Sequence, residues 1–155
     1  MTRLPISYCA ATIANRGFYY TPHLIKSIGK DGEPLPQYRV KHHTTIDSAN
    51  FLVAVDAMQQ VVESGTGQYR AKLQDIIVCG KTGSVQNTPN PDHSVFIAFA
   101  PRDNPRIALS VYVENSGQGA GAAAGIAGLM IEKYLLGGTK RPWIEQYILE
   151  GKFAK

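Results

Sequence analysis

The sequence has few cysteines: two in 155 residues. Cys9 and Cys79 stand far apart, so they supply neither a disulfide framework nor zinc-ligand spacing. Both have apolar neighbours, and buried free thiols are the expectation. Long apolar runs are also missing; none approaches the roughly 20 residues of a membrane span. The opening MTRLPISYCAATIANRG lacks the basic start and apolar core of a secretory signal. The chain therefore reads as soluble, without a targeting segment and without membrane contact of its own. Charge of one sign is not concentrated either. The net charge is +4, but Lys41-His42-His43 and Lys140-Arg141 are short clusters with no interleaved aromatics, which argues against nucleic acid as a partner. Internal repeats and an internal domain boundary are both absent.

What remains is an ordinary globular composition, 44% hydrophobic and 18% charged, in a chain long enough for one compact core. Ile6 to Ala14 reads as a helix stopped by Asn15-Arg16-Gly17. Lys30-Asp31-Gly32 reads as a hairpin turn, with Leu24-Ile25 and Tyr38-Val40 as its short flanking strands. Asp47 or Ser48 caps a second helix, whose apolar positions Phe51, Leu52, Val55, Met58, Val61 and Val62 recur at helical spacing before ESGTG ends it. A strand is expected over 75–87. Two clearer strands, 93–101 and 106–114, flank the turn Arg102-Asp103-Asn104-Pro105 as an antiparallel hairpin. Val95, Ile97 and Phe99 alternate with Phe96 and Ala98, so both faces of the hairpin should be covered. A Gly/Ala loop then leads into a helix over about 122–136. A short amphipathic helix carrying Trp143, Tyr147 and Ile148 is expected in the tail.

One stretch, IIVCGKTGSVQN, carries the chemistry. Gly80-Lys81-Thr82 has the look of a phosphate-binding loop. That motif needs a first glycine at position 75, where Asp75 stands, and a helix after the threonine, where GSVQNTPNP follows. Gly117-x-Gly119-x-x-Ala122 has the look of a dinucleotide fingerprint, but no second parallel strand follows its helix. It reads instead as a glycine loop that lets a helix pack closely. The remaining reading of the first stretch is Lys81-Thr82-Gly83 as a K-T-G triplet on an edge strand. Lysine there supplies a fixed positive charge beside a nucleophile. The threonine hydroxyl can bond a substrate carboxylate. Glycine leaves room for an extended substrate along the strand. The backbone N–H of Ser84 can face a developing oxyanion.

The order GTG, CGKTGSVQN, DHSVFIAFAPRDNPRIALSVYVEN and AAAGIAGLMIEKYL resembles the C-terminal part of the class B penicillin-binding proteins. TRLPISYCAATIANRGFYYTPHLIKSI is similar to that family's preceding helix and hairpin. Two departures stand out: Thr2-Arg3-Leu4-Pro5 replaces Thr-Pro-Leu-Gln, and Ser84 follows the triplet where threonine is frequent. The resemblance implies an α+β fold, an antiparallel sheet of at least three strands with packed helices, with residues 1–155 forming the C-terminal piece of a transpeptidase domain. It implies serine acyl transfer between peptidoglycan stem peptides ending in D-Ala-D-Ala, with no metal or organic cofactor. It assigns catalytic roles to Lys81, Thr82 and Gly83 and substrate binding to Thr82 and Ser84. Other implied partners are β-lactams and the cell-elongation machinery, at the periplasmic face of the inner membrane. The family's nucleophilic serine and S-x-N triplet lie upstream, so the chain alone is expected to be inactive. Ser27-Ile28-Gly29-Lys30 and Ser48-Ala49-Asn50 imitate these motifs, but a hairpin and a helix cap account for them better. The resemblance puts His93 near the active-site rim, while its own surroundings read as a strand-end histidine bonded to a loop, and it is not assigned a catalytic role. A serine β-lactamase or D,D-carboxypeptidase of the same fold is the alternative within the class. A non-catalytic cell-wall interaction module is the alternative outside it.

Overall fold

The computed structural model describes residues 4–25, 27–29, 32–151 and 153. Helix α1 (Leu4–Ala14) ends where Arg16 and Gly17 both take positive φ, 54° and 110°. The Gly17 N–H then bonds the Thr12 carbonyl at 2.9 Å, closing the helix as the sequence predicts. Strand β1 (Phe18–Tyr20) follows and pairs antiparallel with β2 (Lys41–His43). A small hairpin is therefore present, but it uses neither expected strand. Aromatic packing decides this: Tyr19 lies edge-on to Tyr8 of α1 and stacks on His42, with centroids 5.1 and 5.3 Å apart. Leu24 has nothing to pack on and is 100% exposed. The expected turn at Lys30-Asp31 lies outside the described residues.

Helix α2 (Ser48–Glu63) is capped by Asp47, whose carboxylate accepts the Ala49 N–H at 2.9 Å. Ser48 is the first helical residue and not the cap. Phe51, Val55, Met58 and Val62 form the buried stripe, while Leu52, expected in it, is half exposed. A short helix α3 (Gln68–Ala71) leads to strands β3 (Cys79–Val85), β4 (His93–Ala100) and β5 (Ile107–Val113). These form one antiparallel sheet in the order β3-β4-β5. The expected strand was too long at its start: pairing begins at Cys79↔Phe99. Just beyond β4 comes Pro101, which has no N–H to extend a ladder toward Ile76–Val78. Helices α4 (Ala122–Leu136) and α5 (Pro142–Leu149) complete the chain. In α5 the buried anchor is Ile144; Trp143 faces outward, 54% exposed.

Alternation along β4 builds two cores, as the sequence leads one to expect. Phe96, Ala98 and Ala100 meet the small residues Ala123, Ala124 and Ala127 of α4. Phe99 points the other way, to Ala14, Val55, Met58 and Cys79. Helix α4 thus covers one face of the sheet, and α1 with α2 covers the other. Gly80 is explained by this packing, since a Cβ there would lie 2.4 Å from the Phe96 ring. Among the described residues, no helix is long and apolar enough to cross a membrane.

Of the two thiols only Cys79 is buried; Cys9 is exposed on α1. Burial pushes the Cys79 thiol up to about 11, against the opposing pull of the Arg102 and Arg16 guanidinium groups. Iodoacetamide at pH 8 is expected to alkylate Cys9 and leave Cys79 untouched, read as one adduct by mass spectrometry. The folded state also holds the Cys79 proton after the unfolded chain has lost it. This thiol therefore lowers stability progressively as pH rises from about 9 to 11, and has no effect below that window. A melting temperature unchanged across that window relative to Cys79→Ala would contradict it.

Candidate active-site strand

Strand β3 is an edge of the sheet, and its second half is open. Cys79 and Gly80 are buried, Thr82 is half-buried, and Lys81, Gly83, Ser84 and Val85 are exposed. The pleat puts Lys81 and Gly83 on one face and Thr82 and Ser84 on the other. The Lys81 ammonium donates to the Thr82 carbonyl at 2.8 Å. Among the described residues it forms no ion pair with a carboxylate, so its charge is uncompensated at the strand edge. The Thr82 hydroxyl lies 3.0 Å from the hydroxyl of Thr66, in the turn between α2 and α3. Ser84 Oγ accepts the Gly119 N–H at 3.1 Å, which ties the strand to the loop after β5.

Gly83 differs from its neighbours in the sheet. A Cβ there would make only an ordinary contact, 3.6 Å from Val95 Cβ. Nothing among the described residues requires glycine at this position, and its absent side chain leaves the outer surface of the strand clear. An edge strand of this kind presents unpaired N–H and C=O groups to an extended ligand. Beside them stand the Lys81 ammonium, without a carboxylate partner among the described residues, and a hydroxyl already oriented by a second hydroxyl.

The other candidates fall elsewhere. Ser27 lies in an irregular segment, and Lys30 of the same tetrad is outside the described residues. Ser48 opens α2. His93 begins β4, and its Nδ1 accepts the Asn115 N–H at 2.9 Å, the loop bond expected of it. Lys81, Thr82, Gly83 and Ser84 are therefore brought together, and neither serine of the two imitations accompanies them.

The family model described as the penicillin binding protein transpeptidase domain matches residues 1–131. The chain belongs to the penicillin-binding protein transpeptidase family. Among curated relatives of this family, it is 30% identical to the peptidoglycan D,D-transpeptidase MrdA of Haemophilus influenzae, over 94% of this chain and 25% of the relative. It is also 30% identical to MrdA of Acinetobacter baumannii, over 91% of this chain and 23% of that one. It thus spans about a quarter of the length of these curated transpeptidases. Among solved structures, Pseudomonas aeruginosa PBP2 in complex with WCK 5153 superposes with a TM-score of 0.74 at 35% identity, covering 85% of this chain and 29% of that one. Penicillin-binding protein A of Mycobacterium tuberculosis, as its imipenem acyl-enzyme, gives 0.69 at 28% identity over 87% and 31%. The α+β architecture expected from the sequence is the family's own.

Two neighbours of the triplet escape a reading by local pattern. Thr66 lies 16 residues before Thr82, within a G-T-G run that also reads as a plain helix stop. Gly119 belongs to the stretch that imitates a dinucleotide fingerprint. Its N–H donates to the Ser84 hydroxyl oxygen of β3, and it packs against the Gly83 main chain.

Proposed function

We propose that this chain is the K-T-G wall of the active site of a peptidoglycan D,D-transpeptidase, at the C-terminal end of its penicillin-binding domain. The observation that carries the reading is the open run Lys81-Thr82-Gly83-Ser84 on an edge strand, with a cation that has no carboxylate partner among the described residues and a glycine that packing does not demand. A serine upstream of Met1 attacks the carbonyl of the penultimate D-Ala of a stem peptide. Its Oγ–C bond forms, the C–N bond breaks, and the terminal D-Ala leaves as the amine after receiving a proton. The amine of a second stem then attacks the ester, forms the cross-link and frees the serine.

Each residue of the wall has its own part in the reaction. The Lys81 charge favours deprotonated groups beside the serine and attracts the substrate carboxylate. The Thr82 hydroxyl, oriented by Thr66, bonds that carboxylate. Gly83 lets the extended peptide lie along β3. The Ser84 N–H faces the oxyanion of the tetrahedral intermediate. β-Lactams acylate the same serine and stay bound. The family resemblance implies a setting at the periplasmic face of the inner membrane, with the elongation machinery as partner.

Incubation with a fluorescent penicillin tests this. The full-length gene product is expected to carry a stable covalent label on a serine upstream of Met1, and residues 1–155 alone to carry none. Absence of label on the full-length protein overturns the reading in favour of a non-catalytic module. Rapid turnover of nitrocefin, in place of a stable adduct, identifies a β-lactamase.

A further inference from the structure

The far end of β3 is held from behind by hydroxyl groups. Ser84 and Ser94 are direct cross-strand partners, so their side chains share a face. Ser84 accepts a backbone N–H from the segment joining β5 to α4, and Ser94 accepts one from the first turn of α4. Gly119 donates to Ser84 at 3.1 Å and Ala123 donates to Ser94 at 3.2 Å. Helix α4 has no side-chain cap of its own, because Gly121 occupies that position. Ser94 takes over the task from the neighbouring strand, satisfying one of the first free N–H groups of the helix.

Ser94 and Ser116 are both buried, with their hydroxyls 2.8 Å apart. The Ser116 hydroxyl donates to the Val113 carbonyl at 2.8 Å. Each serine has one proton to give. Ser116 spends its proton on Val113, so Ser94 donates to Ser116 and keeps a lone pair for Ala123. The direction of the relay is thereby fixed, and every polar group in it is satisfied. The loop so anchored rests directly on the main chain of β3. A Cβ on Gly119 would lie 2.1 Å from the Gly83 carbonyl oxygen and 2.8 Å from its nitrogen.

We propose that Ser94 and Ser116 are positioning residues for acyl transfer. They fix the start of α4 and, through Gly119, the Gly83–Ser84 peptide whose N–H faces the oxyanion. The role rests on the transpeptidase reading. An oxyanion donor acts only within about 2.7–3.1 Å of the charge it stabilises, so a brace on the peptide carrying it controls the chemical step more than binding. Neither serine touches substrate.

The test uses the full-length gene product with Ser94→Ala and Ser116→Ala, each alone and combined with Ser84→Ala. Penicillin acylation is resolved into a dissociation constant and a first-order acylation constant, and amide hydrogen exchange at Gly119 is followed in parallel. The expected result is an acylation constant about tenfold lower with the dissociation constant unchanged, and faster exchange at Gly119. The loss should be non-additive with Ser84→Ala, because both substitutions release the same loop. If Ser94→Ala does not fold, Ser116→Ala carries the test, since it keeps the acceptor for Ala123. Wild-type acylation and wild-type exchange accompanied only by a lower melting temperature would overturn the proposal. A wild-type protein that penicillin does not acylate overturns the transpeptidase reading and the catalytic role with it. The exchange data then decide whether the brace itself exists.

Discussion

Lys81→Ala in the full-length protein is expected to slow penicillin acylation by about 10²–10³-fold, the usual cost of deleting one preorganised charge or oxyanion donor. The melting temperature should move little. The Lys81 side chain is exposed, and its one hydrogen bond goes to the carbonyl of its own neighbour. Exposed substitutions of this kind stay within about 0.5 kcal/mol. The separation of the two readouts makes the experiment decisive: a large kinetic loss on an unperturbed fold is what a working cation predicts. Lys81→Arg should recover part of the rate. It keeps the charge but spreads it over a planar fork that does not occupy the ammonium position. Acylation of the alanine variant at the wild-type rate, at equal melting temperature, would remove Lys81 from the site.

A different cation, Arg141, bears on stability. Arg141 Nε donates to Glu132 Oε1 at 2.9 Å, and the two side chains are only 14% and 4% exposed. Its Nη1 donates to the Arg70 carbonyl at 2.7 Å and the Lys72 carbonyl at 3.3 Å. One guanidinium therefore joins α4, the entry to α5 and the segment leading into β3. Arg141→Met should cost about 3–5 kcal/mol, because it strands the Glu132 carboxylate in the core. For a chain of this size that is a fall in melting temperature of roughly 10 °C. Pairing it with Glu132→Leu removes the stranded charge, and the double variant should be more stable than Arg141→Met alone. Equal melting temperatures for the two would show that Glu132 is not paying a burial penalty.

The sequence made the α+β core legible wherever one periodicity dominated. The β4–β5 hairpin and helix α4 announce themselves through alternating apolar residues, a proline-containing turn and a run of alanines. The β1–β2 ribbon did not, because Phe18-Tyr19-Tyr20 owes its pairing to rings on α1 and β2 and not to a turn signal. Cys9 was misplaced because apolar neighbours in sequence do not fix which side of a helix faces out. Within the candidate site, the placement of Lys81 to Ser84 on a strand could be read from the sequence, since the apolar run before Gly80 and the missing helix after Thr82 leave no phosphate loop. Thr66, Ser94, Ser116 and Gly119 could not. Their contacts form only once the turn after α2 and the loop after β5 close on β3, and no spacing in the chain encodes that approach.

Homology and cooperative folding draw different borders on this protein. The family match stops at Ile131, inside α4 and one residue before Glu132, the carboxylate that Arg141 neutralises from beyond the helix. A polypeptide trimmed to the matched residues would keep every group of the Lys81–Ser84 run. It would also lose the cation that closes the Arg70 and Lys72 carbonyls on the way into β3. A cut at the end of the match would therefore divide α4 and leave those carbonyls without their guanidinium donor, and ancestry alone is a poor guide to where this domain can be cut.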